Sequence, residues 1–350
     1  MNKIIAEDIN EIISANVPWQ NFSGKTVLIS GAAGFLPSYL VHTLLQLNES
    51  GKLEKPAKVI AVVRNKEKAE ARFADYLRRQ DFKLILSDIT QSLEAITERI
   101  DFIIHAASQA SPKFYGTDPV GTLSANVLGT YSLLELAQRN AVECFLYFSS
   151  SEVYGQLPLG TEKASEVTYG YVDPMAVRAC YAESKRMGEN ICVSWFHQFK
   201  VPIKVVRPFH TYGPGMQLDD GRVFADFVAD IVNNRHITMK SDGSAIRAFC
   251  YLVDATIGFF TVLLKGEVAN AYNVGNDEAA VSIAELAYLL TTIFPEKKLQ
   301  VIQQENNISK NYLQSVVSMS VPETAKLRAL GWAPHYDIYH GFRKTLLSFL

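Results

Sequence analysis

Tyr181 and Lys185 stand four residues apart in the stretch YAESK, which puts a phenol and an ammonium on one face of a helix. A neighbouring ammonium lowers a phenol's pKa, so this pair can exchange a proton with a sugar hydroxyl or a ketone while a hydride moves. One element earlier, FSSSEVYG (Phe148 to Gly155) closes an apolar run and offers Ser150, Ser151 and Glu152 to the same reacting oxygen. A third stretch, SGAAGFLPSYL (Ser30 to Leu40), follows a β-branched run and opens a helical pattern. A pyrophosphate needs backbone N–H groups at a helix N-terminus with no side chain in the way, and Gly31, Gly34, Phe35 and Leu36 stand where those groups are expected. Pro37 takes the place of a third glycine. In a first helical turn a proline gives up no intrahelical bond and its fixed φ suits the helix, so it is expected to be tolerated with a slightly displaced helix.

The second apolar run ends VVRN, with Arg64 and Asn65 where a nicotinamide dinucleotide site usually carries an acid for the ribose hydroxyls. An arginine there can pair with a 2′-phosphate, so the expected cofactor is NAD or NADP. Asp88, at the end of the third run, is a candidate for the adenine end.

These groups need a frame. KTVLIS (Lys25 to Ser30), KVIAVV (Lys58 to Val63), KLILSD (Lys83 to Asp88), DFIIHAAS (Asp101 to Ser108), ECFLYFSSS (Glu143 to Ser151) and IKVVRP (Ile203 to Pro208) read as strands. Helical stretches separate most of them, notably Pro119 to Asn140 and Tyr181 to Phe199. Near-continuously apolar strands alternating with helices predict an α/β fold, a doubly wound parallel sheet covered on both faces. After Pro208 the order changes to loops, short helices and a few strands such as AYNVGN (Ala271 to Asn276), with a capping box at SIAE (Ser282 to Glu285). The expected division is an N-terminal helical extension (1–22, its helix spaced over Ile4 to Val17), a cofactor domain with the Tyr/Lys pair (23–208) and a smaller substrate lobe (209–350), from which some segments can return to the first sheet.

The 350 residues carry a formal net charge of -2, which offers no general attraction to nucleic acid or to an acidic membrane. Cys144, Cys180, Cys192 and Cys250 are scattered without a CxxC pair, and the seven histidines form no HxxxH cluster, so buried thiols and no metal site are expected. No apolar run reaches membrane-span length, and MNKIIAEDINEII carries acids within its apolar spacing, unlike a signal peptide; the expected location is the cytoplasm.

Together with GAAGF, HAAS, NVLGT, RPFHTYGPG, DGRVFADF, IRAFCYLVDA, YNVGN and ALGW, these motifs resemble the extended short-chain dehydrogenase/reductase family, the nucleotide-sugar epimerases and dehydratases. The resemblance covers nearly the whole chain. It implies a Rossmann domain holding a nicotinamide cofactor, a C-terminal lobe for a nucleotide-diphosphate sugar, and hydride transfer at carbon 4 of the sugar. Carried over by position, Tyr181 is the acid/base, Lys185 its electrostatic partner and ribose anchor, Ser150 the hydroxyl that steadies the proton, and Glu152 an assisting carboxylate. It also implies cofactor contacts at Ile89, Ala106, Ala107 and Pro208, and substrate contacts at Ser108, Ser151, Glu152, His210, Arg222 and Arg247, the two arginines facing the substrate pyrophosphate. Helices 119–140 and 181–199 match those through which the family forms a two-fold homodimer.

Within the family, ASPKFY, VRACYAESKRMGE and TYGPGMQLDDGRV are most similar to UDP-glucuronate decarboxylases. His210 stands where those enzymes have an asparagine, and QSVVSMSVPETA (Gln314 to Ala325) lacks their basic residues. The expected activity is therefore a 4-keto reductase or 4-epimerase. A UDP-glucuronate decarboxylase and a 4,6-dehydratase are the alternatives, though the dehydratase's Asp-Glu pair is here Ser151-Glu152. A non-catalytic dinucleotide sensor is the alternative of another class.

Overall fold

The computed structural model describes residues 1–304 and 317–350, so of the stretch 314–325 residues 314–316 lie outside it. Strands β1 (Thr26–Ser30), β2 (Lys58–Val63), β3 (Phe82–Leu86), β4 (Phe102–His105), β5 (Cys144–Phe148) and β6 (Ile203–Pro208) are followed by three strands of a smaller lobe, β7 (His210–Tyr212), β8 (Ile237–Met239) and β9 (Ile246–Tyr251). The next strand, β10 (Ala271–Val274), returns to the first sheet, which reads β10-β6-β5-β4-β1-β2-β3 with every neighbour parallel. Strand order reverses between β1 and β4. Ser30, the last residue of β1, is level with Val62 on one side and His105 on the other, which opens a crevice at the strands' carboxyl ends. In the lobe, β7 and the short strands β11 (Ala280–Ser282) and β13 (Met319–Ser320) all pair with β9, while β12 (Val301–Gln303) pairs with β8.

Alternate residues of each buried strand serve different helix layers, as a pleat requires. Val27 and Ile29 join the core under α1 (Lys3–Ser14) and α2 (Phe35–Glu49). Leu28 points the other way, into a second core formed with two long helices. Between these layers in the chain lie the short α3 (Lys66–Arg72) and α4 (Lys113–Thr117), then the long pair α5 (Pro119–Asn140) and α6 (Cys180–Phe199). Asp118 caps α5 by accepting from Gly121 N at 3.0 Å, with Pro119 in the first turn. The lobe adds α7 (Val223–Val232), α8 (Leu252–Lys265), α9 (Ile283–Thr292), α10 (Ala325–Arg328) and α11 (Ile338–Leu347). The capping box at the start of α9 is formed, Ser282 and Glu285 each satisfying the other's backbone N–H.

One carboxylate ties the outer elements together. Asp8 of α1 is fully buried and accepts the hydroxyls of Tyr39 in α2 (3.0 Å) and Tyr251 at the end of β9 (2.8 Å), while Lys344 of α11 pairs with it. Burial pushes this carboxyl upward, and Lys344 and the two tyrosines act against that rise. The four cysteines are buried free thiols. Among the described residues no helix is long and apolar enough to cross a membrane.

Candidate active site

The glycine turn follows from its backbone. Gly31 has φ +65°, and a Cβ there would lie 2.6 Å from Ala107 Cα and 2.9 Å from Ala107 N. Gly34 caps α2 and donates to Gly31 O at 2.7 Å, and a Cβ on it would meet Pro37 Cγ at 3.1 Å. Pro37 sits in the first turn of α2, where its missing N–H leaves no bond unmade. Behind the turn, Ser30 Oγ accepts from the N–H groups of Ala106 and Ala107, each at 3.2 Å, and meets His105 Nδ1 at 2.9 Å. The N–H groups at the start of α2 therefore face a crevice kept clear of side chains, the arrangement an anionic diphosphate requires.

A cavity of about 550 Å³ extends from this turn toward the lobe. It gathers Gly34, Phe35, Leu36, Ala106, Ser108, Ser150, Ser151, Glu152, Tyr181, Lys185, Pro208, His210, Arg222 and Arg247 around one space, residues drawn from both parts of the chain. Gly31, Arg64, Asp88, Ile89 and Ala107 do not line it. Gly31 and Ala107 pack against each other beneath the turn, and Ile89 fills the gap over Gly129. Arg64 is exposed at the end of β2. Asp88 Oδ1 accepts from Thr90 N and Thr90 Oγ1, both at 2.9 Å, so part of its capacity goes to shaping its own turn. Those two bonds and the charge of Arg64 hold its carboxyl below the usual range.

Tyr181 lies in the first turn of α6, its ring stacked on Tyr115 with centroids 5.0 Å apart and planes 14° from parallel. Burial raises its phenol, against Ser150, whose hydroxyl favours the ionised form, and Arg222. The expected lowering of the phenol by Lys185 is not what the structure shows. Lys185 is itself buried: its Nζ donates to Phe148 O at 2.6 Å and lies 5.8 Å from the centre of the Tyr181 ring. Desolvation brings its ammonium down to about 7, so both members of the pair are governed by loss of water.

The rest of the cavity is cationic and hydrogen-bonding. Arg178 pairs with Glu152 at 3.3 Å, Arg222 with Asp220 at 2.9 Å, and Arg247 donates to Ile246 O and Val317 O at 2.8 and 2.7 Å. Burial and the nearby Arg247 and Arg222 push the His210 imidazole well below its ordinary value, leaving it neutral. His210 Nδ1 is buried with no hydrogen-bond partner among the described residues, which is what a polar ligand in this space would satisfy, and the Ser108 hydroxyl faces the Tyr181 phenol, favouring its ionised form.

Sequence reasoning missed three residues here. Arg72 donates to Gly34 O (3.2 Å), Ser38 Oγ (2.9 Å) and Gly215 O (3.3 Å), bridging the glycine turn and the loop after β7. A basic residue ending a short polar helix reads as solvated, and nothing in its spacing signals otherwise. Tyr115 and Arg178 sit in the quoted ASPKFY and VRACYAESK stretches, and their nearness to Tyr181 and Glu152 arises only when the chain folds.

Residues 27–275 match the family described as the NAD dependent epimerase/dehydratase family. The chain belongs to this family. UDP-glucuronic acid decarboxylase 6 of Arabidopsis thaliana is 32% identical over 321 residues, covering 91% of this chain and 87% of the relative. UDP-glucuronic acid decarboxylase 1 of Xenopus tropicalis is 32% identical over 328 residues, covering 93% and 72%. In fold, the chain is similar to the UDP-glucose 4-epimerase of Thermotoga maritima solved with UDP-glucose (TM-score 0.78, 20% identity, 93% and 98% of the two chains). It is also similar to the dTDP-glucose 4,6-dehydratase of Bacillus anthracis in complex with NAD (TM-score 0.75, 20% identity, 93% and 96%). The chain is thus an NAD-dependent enzyme of the nucleotide-sugar epimerase/dehydratase type. The turn fits that cofactor, because the two positions where a Cβ would distort it, against Ala107 and against Gly31 O and Pro37, are both glycine.

Proposed function

We propose that this enzyme decarboxylates a nucleotide-linked hexuronic acid, with UDP-glucuronic acid as the first substrate to test. The observation that carries this reading is the composition of the cavity around Tyr181. It holds three guanidinium groups, Arg178, Arg222 and Arg247, for a ligand with a pyrophosphate and a further carboxylate, against two acids, Glu152, preceded by Ser151 and paired with Arg178, and Asp226, paired with Lys240. Removal of water across two sugar carbons calls for a pair of acid/base groups, which Ser151-Glu152 does not provide. The sequence relatives support the same reading.

In this reading Gly31, Gly34, Phe35 and Leu36 hold the pyrophosphate of NAD, Asp88, Ile89, Ala106 and Ala107 border its adenosine side, and Lys185 and Pro208 border its nicotinamide side. When bound, NAD supplies the hydride acceptor. Tyr181 accepts the hydroxyl proton of sugar carbon 4, Ser150 and Arg222 favouring the phenolate that does so. The ketone formed at carbon 4 takes up the electron pair released as the carbon 5 carboxylate leaves as carbon dioxide; a proton then takes the carboxylate's place at carbon 5, and as the hydride is returned to carbon 4 the Tyr181 phenol gives its proton back to the carbon 4 oxygen.

A 4-epimerase or 4-keto reductase is the second reading. It is favoured by His210, whose neutral ring offers a hydrogen bond where a cation would suit a carboxylate better. Incubation of the purified enzyme with UDP-glucuronic acid separates the two. Release of carbon dioxide with a nucleotide-linked pentose is the expected result, whereas a carbon 4 epimer that keeps all its carbons, or an unaltered sugar, would overturn the decarboxylase reading.

We further propose that α5 and α6 form a homodimer face. The two helices pack side by side, and Val120, Leu123, Leu128, Tyr131, Met187, Val193 and Phe199 are exposed on them. A two-helix apolar face is self-complementary about a two-fold axis, so a second copy is the occupant that covers it. Sedimentation velocity is expected to give a dimer that Leu128→Glu converts to monomer; a wild-type monomer at micromolar concentration would refute this.

A further inference from the structure

Behind the catalytic candidates lies a second charged group. Glu189 stands one helical turn beyond Lys185 on the same face of α6. Arg207 of β6 grips it with two bonds, Nε to Oε1 at 2.8 Å and Nη2 to Oε2 at 2.7 Å, and its side chain is only 4% exposed. Ser149 donates its hydroxyl to Glu189 Oε1 at 2.5 Å, and the preceding residue, Phe148, supplies the carbonyl that receives Lys185 Nζ. Arg207 Nη1 reaches on to the Tyr154 hydroxyl and to Glu166 O, both at 2.9 Å, and Tyr154 donates to Asn273 Oδ1 at 2.5 Å. Lys185, Glu189 and Arg207 thus form a cation–anion–cation row running from the cavity wall into the sheet.

We propose that the Arg207–Glu189 pair is a positioning device for Lys185: it fixes a partly buried carboxylate one turn away, which favours the charged form of the ammonium at the cavity wall. Phe148 O accepts a hydrogen bond from the ammonium, but Glu189 supplies the largest opposing charge, and the remaining neighbours are held uncharged. From β4 the neighbour is His105, held neutral by burial; from β5 it is the Tyr147 ring, 5.0 Å from Nζ; on α6 itself they are Tyr181 and Cys192, both kept protonated by burial. Glu189 is the carboxylate whose field supports the ammonium against the desolvation that lowers it. Arg207 in turn aims the Glu189 carboxylate, since a planar guanidinium matches both carboxylate oxygens at once. A buried pair that contributed only to folding would leave the titration of Lys185 where it is.

The test is the titration of the amine itself, in the full protein free of cofactor. With lysine labelled at its ε-carbon, the Lys185 resonance is assigned by its disappearance in Lys185→Arg, and its midpoint is expected near neutrality. Because the ammonium is lost as pH rises, removing the supporting anion must bring that loss to lower pH. Glu189→Gln is expected to lower the midpoint by roughly one to three pH units, the usual range for a neighbouring opposite charge. Arg207→Lys, which keeps a cation against Glu189 but loses the fork, is expected to lower it by less. If Glu189→Gln does not fold, Glu189→Asp, whose carboxylate is withdrawn by one methylene, should give an intermediate shift. An unchanged midpoint in a folded Glu189 variant, whatever its melting temperature, overturns the proposal. The readout is independent of which sugar the enzyme takes.

Discussion

Tyr181→Phe is expected to fold, to bind NAD within a few-fold of the wild type, and to lose roughly 100- to 10,000-fold of its turnover, the usual contribution of a general acid–base group. The substitution keeps the ring that stacks on Tyr115 and removes only the hydroxyl whose proton moves, so packing and chemistry separate cleanly at this position. Single-turnover absorbance of the reduced nicotinamide, paired with calorimetric titration of NAD, reads both halves. A variant keeping more than about a tenth of the activity would mean that another group carries the proton, with Glu152 the next to examine.

Gly31→Ala should lose cofactor. The new methyl would sit 2.6 Å from Ala107 Cα, a backbone atom that cannot swing aside, at a residue whose φ of +65° already strains any L side chain. The left-handed conformation alone costs roughly 1–2 kcal/mol, and overpacking typically adds about 1–3 kcal/mol. The strain can be relieved only by moving the turn or the segment after β4, and either movement disturbs the N–H groups that face the diphosphate. Gly51→Ala is the matched control, since Gly51 has φ +67° and nothing within 4 Å of the added atom. NAD affinity is expected to fall more than about tenfold for Gly31→Ala and to stay level for Gly51→Ala, while both lose some thermal stability. Equal NAD affinity in the two would show that the close approach to Ala107 does not shape the site.

Much of the frame was legible in the chain because its signals are local. Each parallel strand is a short apolar run, α5 shows as the helical stretch from Pro119, and α9 announces itself with Ser282 and Glu285, signals that act within a few residues of where they are written. The placement of AYNVGN was not local. Its spacing marks a strand, but only the pairing of Tyr272 with Val206 assigns it to the large sheet and not to the lobe. Among site residues, the glycines, Tyr181 and Lys185 stood out by type and spacing. The electrostatics did not, because the phenol and the ammonium are each displaced chiefly by burial, a property of the assembled fold. Arg72 escaped notice for the same reason: its partners Gly34 and Gly215 come from separate parts of the chain.

The buried Asp8 bears on the order in which the protein can be completed. During synthesis α1 leaves the ribosome long before the chain has reached Tyr251 or Lys344, yet its carboxylate is satisfied only when both are present. Until then Asp8 has to stay in water, because an ionised group is costly to bury without partners. α1 therefore docks after the elements that complete its carboxylate's partners, and its arrival closes a long loop.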